Sequence, residues 1–191
     1  MPRRPMPALA PRLAPIERPP NSLVRLVYRM TERALGAVVG PAKVIYARKP
    51  RLAVLTQHLE WTAESLSLEP PLRLLVRAHA ARLHGCAFCY DLKLAQALQA
   101  GIGTERFAAL AGYRTSDRFS ARERAALAYC AEALRDYAVS DETFATLRHH
   151  FSEEEIVELT WLNAAEAYHN LQTGPLGIGS DGLAARAMAF R

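Results

Sequence analysis

The sequence predicts an all-α fold, a single-domain helical bundle of about seven or eight helices, and three observations carry that expectation. No stretch alternates apolar and polar residues with period two between turn signals, so no strand is expected. Apolar residues recur instead at intervals of three and four. Ser120 with Glu123, and Ser152 with Glu155, each fit a capping box, the reciprocal arrangement that satisfies free N–H groups at a helix start. At 191 residues the chain is long enough for one domain with a real core and too short to expect two without a visible linker.

Residues 1–20 hold seven of the twelve prolines and are expected to be a Pro/Arg-rich tail, extended or disordered, that contributes nothing to the core. The helical domain is expected over 21–174. Asn21 is a plausible N-cap for a helix carrying Leu23, Val27, Met30 and Ala34, ended by Gly36, Gly40 and Pro41. A second helix runs from about Arg51 to Leu66, with Leu52, Leu55 and Leu59 on one face. A third starts near Pro71 and places Leu72, Leu75, Val76, His79 and Leu83 on one stripe. A fourth follows the cysteine pair and stops at Gly101, and Thr104 can cap a short helix through Leu110. The two capping boxes open helices over about 121–137 and 153–171, the latter supported by Phe151 packing on Ile156 as a staple. Ser140 or Asp141 caps a helix between them, and residues 175–191 are expected to be a tail that packs on a neighbouring subunit.

Half of the residues are hydrophobic and 23% are charged, the profile of a soluble globular protein. The net charge of +5 suggests nucleic acid until it is located: Arg3, Arg4, Arg12 and Arg18 against Glu17 supply +3, leaving +2 for the body. No basic helix with interleaved aromatics occurs, so nucleic-acid binding is not expected. The apolar stretch from Ala34 to Ala47 is interrupted by Gly36, Gly40, Pro41 and Lys43, well short of a membrane span. The N-terminus has no continuous apolar region of the signal-peptide kind, and the expected location is the cytoplasm.

Two of the three cysteines form the stretch Cys86-Ala87-Phe88-Cys89, at the point where one helical pattern hands over to the next. In a first helical turn this spacing brings both sulfurs to one side, close enough to form a disulfide or share a metal. A redox pair is the leading reading. A metal site, completed by His79 and His84, and ordinary packing of small buried thiols are the alternatives. A purely structural disulfide is disfavoured in a reducing compartment. His79 lies on the apolar stripe leading into the pair, where a histidine is either a core residue or a base. His84 stands beside Gly85 at the turn. Cys130 reads as a core residue.

The segment Leu83-His84-Gly85-Cys86-Ala87-Phe88-Cys89-Tyr90-Asp91-Leu92, with the later Phe119-Ser120-Ala121-Arg122-Glu123-Arg124, resembles the carboxymuconolactone decarboxylase family, in its alkylhydroperoxidase D-like branch. The similarity covers roughly residues 41–174. It implies an all-helical, alkylhydroperoxidase D-like domain assembling as a homotrimer or homohexamer, and a cysteine pair that reduces hydroperoxides or exchanges electrons with a thiol or disulfide donor. It also implies that Cys89 is the peroxide-reactive cysteine and that Cys86 resolves it as a disulfide. No cofactor or metal is implied. The branch has a Glu twelve residues before the first cysteine, where this chain has Leu74, and a His four residues after the second, where it has Lys93.

Peroxide chemistry needs a thiolate, and a free thiol is only about 3% ionised at pH 7. A helix N-terminus contributes on the order of 0.3 to 1 kcal/mol, less than one pKa unit. Lys93, one turn beyond Cys89, is placed to add a cation, although an exposed solubilising lysine is the competing reading. A charged lysine cannot accept a proton, which leaves His79 or His84 for that work. Three functions therefore stand beside each other: a thiol peroxidase or disulfide-exchange protein, a non-catalytic helical oligomer or decarboxylase-type member with an idle pair, and a metal-binding module.

Overall fold

The computed structural model describes residues 10–189. Nine α-helices run through them: α1 Ser22–Leu35, α2 Pro50–Ser65, α3 Pro70–His84, α4 Ala87–Gln99, α5 Glu105–Ala108, α6 Ala121–Asp136, α7 Asp141–Arg148, α8 Glu153–Thr173 and α9 Leu183–Ala189. A π-helical turn, Ala42–Tyr46, follows α1, and a 3-10 turn, Ala109–Gly112, follows α5. The fold is all-α, and the described residues contain no strand.

The bundle is arranged around α3. Leu72, Leu75, Val76, Ala78, Ala80 and Ala81 are buried, and so are Arg73, Arg77 and His79, so α3 has almost no solvent face. Pro70 and Pro71 open it where no intrahelical N–H is needed. The small side chains at 78, 80 and 81 leave room for α4, α6 and α8, all of which pack on α3. Each fully buried Leu or Val of this helix contributes roughly 1.5 to 3 kcal/mol. One apolar cluster joins α3 to α6, α7 and α8, and a second lies under α1, the π-helical turn, α4 and α9.

The capping residues read from the sequence act as expected. Asn21 Oδ1 accepts from Leu23 N at 2.9 Å, and both capping boxes form, with Glu123 and Glu155 accepting from the backbone of Ser120 and Ser152 at 2.8 Å. Phe151 and Ile156 are buried together at the start of α8. The turn into α4 is tighter than a loop. Gly85, with φ of 70°, ends α3 in the left-handed region, and Cys86 N donates back to Ala81 O at 2.9 Å while Gly85 N donates to Arg82 O at 3.1 Å. This is a Schellman ending, and it makes Cys86 the cap of the next helix without a spacer.

Three expectations are corrected. Residues 10–20 of the presumed tail are extended, one of the two states expected, but are fastened to the body: Arg12 N and Ile16 N donate to Leu176 O and Lys43 O, while Tyr28 Oη and Arg48 Nη2 donate to the carbonyls of Ile16 and Ala14. Proline lacks an N–H, so Pro11, Pro15, Pro19 and Pro20 leave the segment short of donors, and the body supplies two. Residues 1–9 lie outside the described residues. At the other end, the presumed tail contains α9, docked on α4 of its own chain. Asp91 of α4 accepts from Ser180 Oγ at 2.7 Å, Leu183 N at 2.8 Å and Ala184 N at 3.0 Å, so a carboxylate from another helix caps α9. The third correction concerns faces. In α1 the buried residues are Val24 and Tyr28, whereas Leu23 and Met30 are exposed; in α2 the small Ala53 and Ala63 are buried, and Leu55 is exposed. Among the described residues no helix is long and apolar enough to cross a membrane.

His79 is fully buried, its ring 5.0 Å from that of Tyr113, and neither nitrogen has a hydrogen-bond partner. Burial, aided by Arg82 and Arg114, pushes its pKa down to about 3 from 6.5. Between those values the unfolded chain binds a proton that the folded chain refuses, so stability falls as the pH drops through this window. His79→Leu removes that uptake, and its melting temperature is expected to fall less than the parent's between pH 7 and pH 4.5. Parallel pH dependences of the two melting temperatures would refute this account.

Candidate active site

Four helices meet at the cysteine pair. Cys86, at the cap position of α4, accepts from Cys89 N at 3.2 Å through its sulfur. The two cysteines are joined as a disulfide, with a Cα–Cα separation of 5.4 Å inside the normal range for such a bond. Thr173, the last residue of α8, places its Oγ1 3.0 Å from Cys86 Sγ and 3.6 Å from Cys89 Sγ. Both cysteines are buried, but only Cys89 lines a cavity of about 700 Å³ that opens beside it. The walls are apolar: Leu26 and Met30 come from α1, Val54 and Trp61 from α2, and Phe88 and Leu92 from α4. The outward-turned apolar residues of α1 and α2 are thus the cavity wall.

The inner end of the cavity is charged. Arg77 of α3 donates from Nε to Glu166 Oε2 at 2.8 Å, and from Nη1 and Nη2 to the two oxygens of Glu60 at 2.9 and 2.5 Å. Glu60 comes from α2 and Glu166 from α8. Lys93 Nζ lies 3.8 Å from Glu60 Oε2 and His169 Nε2 lies 3.3 Å from Glu60 Oε1, on opposite oxygens of one carboxylate. Burial would raise the pKa of Glu60, but Lys93, His169 and Arg77 hold it well below the usual carboxylate range. For Lys93, burial and then Arg77 push the pKa below the ordinary lysine value against the pull of Glu60 and Glu166. The result is an oxidisable pair with a buried acid–base group one helical turn away, at the bottom of an apolar chamber.

The structure brings together Cys86, Cys89 and Lys93, and leaves His79 and His84 outside the cavity lining. His79 belongs to the apolar cluster with Phe107 and Tyr113, and His84 is the half-buried last residue of α3. Lys93 is 1% exposed, so the solubilising reading does not hold. Leu74 packs beside the same apolar cluster as Phe107 and brings no carboxylate. Among the described residues no group of three His, Cys, Asp or Glu side chains could hold a metal ion. Sequence reasoning missed Glu60, Arg77, Glu166, His169 and Thr173. One signal was available: Arg77 follows Leu74-Leu75-Val76, and a cation inside an apolar helix requires buried anions. Cys130 is buried and free, donating to Asn163 Oδ1 at 2.8 Å, and burial pushes its thiol pKa up.

The site is thus a CxxC pair, its second cysteine open to an apolar cavity, in an all-helical domain. The carboxymuconolactone decarboxylase family model matches residues 50–132. The uncharacterised protein YnjA of Escherichia coli K12 is 30% identical over 151 residues, spanning 75% of this chain and 82% of that protein. A crystal structure from Agrobacterium tumefaciens, ATU0492, described as a putative antioxidant defence protein AhpD, superposes with a TM-score of 0.66 at 28% identity, covering 72% of this chain and 96% of that one. The debrominase Bmp8 shares the fold, with a TM-score of 0.76 at 21% identity over 92% of this chain and 95% of its own. This chain belongs to the carboxymuconolactone decarboxylase family, in its alkylhydroperoxidase D-like branch.

Two outcomes follow from the charges. In a Cys86→Ser, Cys130→Ser background, Lys93→Met is expected to move the pH midpoint of Cys89 alkylation upward. Molar salt is expected to leave the parent's midpoint in place, because the group is sheltered from solvent. An unchanged alkylation curve in Lys93→Met would remove Lys93 from the site. Arg77→Met strands two carboxylates and is expected to lower unfolding stability by roughly 3 to 5 kcal/mol in urea titrations; a loss below about 1 kcal/mol would show that the network is not structural.

Proposed function

We propose that this protein is a thiol-dependent peroxidase that reduces organic hydroperoxides with the Cys86–Cys89 pair. The observation that carries this reading is the exposure of Cys89, and not Cys86, to the apolar cavity, with Lys93 one turn beyond it. The Cys89 thiolate attacks the outer peroxide oxygen; an S–O bond forms, the O–O bond breaks, and the alkoxide leaves and takes a proton to become the alcohol. The Cys86 thiolate then attacks the Cys89 sulfenic acid, forming the disulfide and releasing water once the leaving hydroxide is protonated. The sum is one hydroperoxide and two thiols giving an alcohol, water and a disulfide. The Cys89 N–H, donating to Cys86 Sγ at the start of α4, favours the Cys86 thiolate. The same donor makes Cys86 the better leaving group when an external thiol regenerates the pair by attacking Cys89. A homotrimer or homohexamer is the assembly this reading carries with it.

The test is anaerobic reduction, removal of reductant, and addition of one equivalent of cumene hydroperoxide. Expected are stoichiometric cumyl alcohol, a loss of two mass units in the peptide carrying Cys86 and Cys89, and a Cys130 that remains alkylatable. Absence of alcohol, or oxidation at Cys130 instead, would overturn the peroxidase reading.

A further inference from the structure

Glu60 stands between two bases. Its Oε2 faces Lys93 Nζ at 3.8 Å and its Oε1 faces His169 Nε2 at 3.3 Å, and all three residues line the cavity into which Cys89 opens. Lys93 Nζ is buried with no hydrogen-bond partner, since Arg77 already takes both oxygens of Glu60. His169 sits one turn before Thr173 on α8, and Thr173 Oγ1 reaches the cysteine sulfurs. The helix that touches the disulfide therefore also carries the imidazole.

The charges close only if one proton is shared. Glu60 and Glu166 carry two negative charges and Arg77 one positive charge, so the cluster is neutral when one of Lys93 and His169 is protonated and the other is not. Whichever of the two is neutral is an acceptor. We propose that His169 is a second proton carrier of this site, sharing with Lys93, across the Glu60 carboxylate, the proton that leaves the Cys89 thiol and returns to the leaving oxygen. The balance is complete: ionisation of Cys89 fills both bases, and departure of the alkoxide as alcohol empties one of them. Burial and Arg77 lower the proton affinity of Lys93, and its Nζ and the His169 imidazole face opposite oxygens of one carboxylate.

This inference rests on the redox reading of the pair but not on the peroxide as substrate, and leaving groups test it. Reduced protein, held above each variant's pH midpoint of Cys89 alkylation so that the thiolate is already formed, is mixed with cumene hydroperoxide, whose alkoxide needs a proton, or with peracetic acid, whose acetate does not. His169→Gln keeps a donor for Glu60 but cannot carry a proton at neutral pH. It is expected to slow the single-turnover reaction with cumene hydroperoxide about 10²-fold, at the low end of acid–base effects, and the peracetic acid reaction less than about threefold. Lys93→Met with His169→Gln is expected to be little slower than the slower single variant, since groups acting as one unit do not add. Equal slowing by both oxidants, a parental rate with cumene hydroperoxide, or fully additive losses would each overturn the shared carrier. If the parent protein reduces neither oxidant, the peroxide reading fails by itself. The same comparison is then read with dithionitrobenzoate, whose thiolate leaves as a stable anion, and with hydroxyethyl disulfide, whose thiolate needs a proton. A defect of His169→Gln confined to the second disulfide upholds the proposal, and equal rates or equal defects overturn it.

Discussion

Arg77 holds its buried guanidinium between Glu60 and Glu166 at the inner end of the cavity, and most of what surrounds the cysteines depends on that grip. Three of its nitrogens are used, two in parallel on Glu60 and the third on Glu166. A lysine could not replace this fork, because a single ammonium cannot present parallel donors to one carboxylate and reach a second. The helix it ties down is α2, which buries only Ala53 and Ala63 and has little hydrophobic reason to stay where it is. Since α2 supplies one wall of the cavity, the shape of the chamber is set by an ion pair more than by apolar packing. Buried charges are costly to assemble, and their return here is position.

The family pattern puts a carboxylate on the helix before the cysteines, and this chain has Leu74 there instead, turned toward an apolar cluster. Carboxylates are nonetheless present near Cys89. They arrive from α2 and α8, and their partner Lys93 stands where the pattern has an imidazole, while an imidazole arrives from α8. An acid, a base and an imidazole therefore stand near the sulfur in this chain, contributed by α2, α4 and α8. Tertiary structure, not spacing along one helix, decides which groups meet.

Much of the fold was legible because its signals are local. Asn21, Ser120, Ser152 and Gly85 act within a few residues of their own position, through N–H groups that every helix leaves unsatisfied. The cysteine pair was legible for the same reason. Faces were harder: the apolar stripe of α1 is wider than the strip it buries, and periodicity did not show that Val24 and Tyr28 would face inward while Leu23 and Met30 bordered a cavity. The charged cluster was hidden because Glu60, Arg77, Lys93, Glu166 and His169 lie on four helices, up to 109 positions apart in the numbering. A glutamate in α2 looks like any solvated glutamate until the helix opposite it is known. The fastening of the segment at 10–20 and the presence of α9 were missed because their anchors, Tyr28, Arg48 and Asp91, belong to other elements.

Asp91 gives the redox helix a second duty. Two positions beyond Cys89, it spends its carboxylate on three donors of the chain's final segment. A copy of this protein cut short before Ser180, by a premature stop or a protease, would keep every residue of the redox cluster and still lose the donors that neutralise a buried anion on α4. The defect would sit on the helix that bears the cysteines, far along the chain from the break. Loss of the segment at 180–184 is in this way felt at α4, as a carboxylate left without partners.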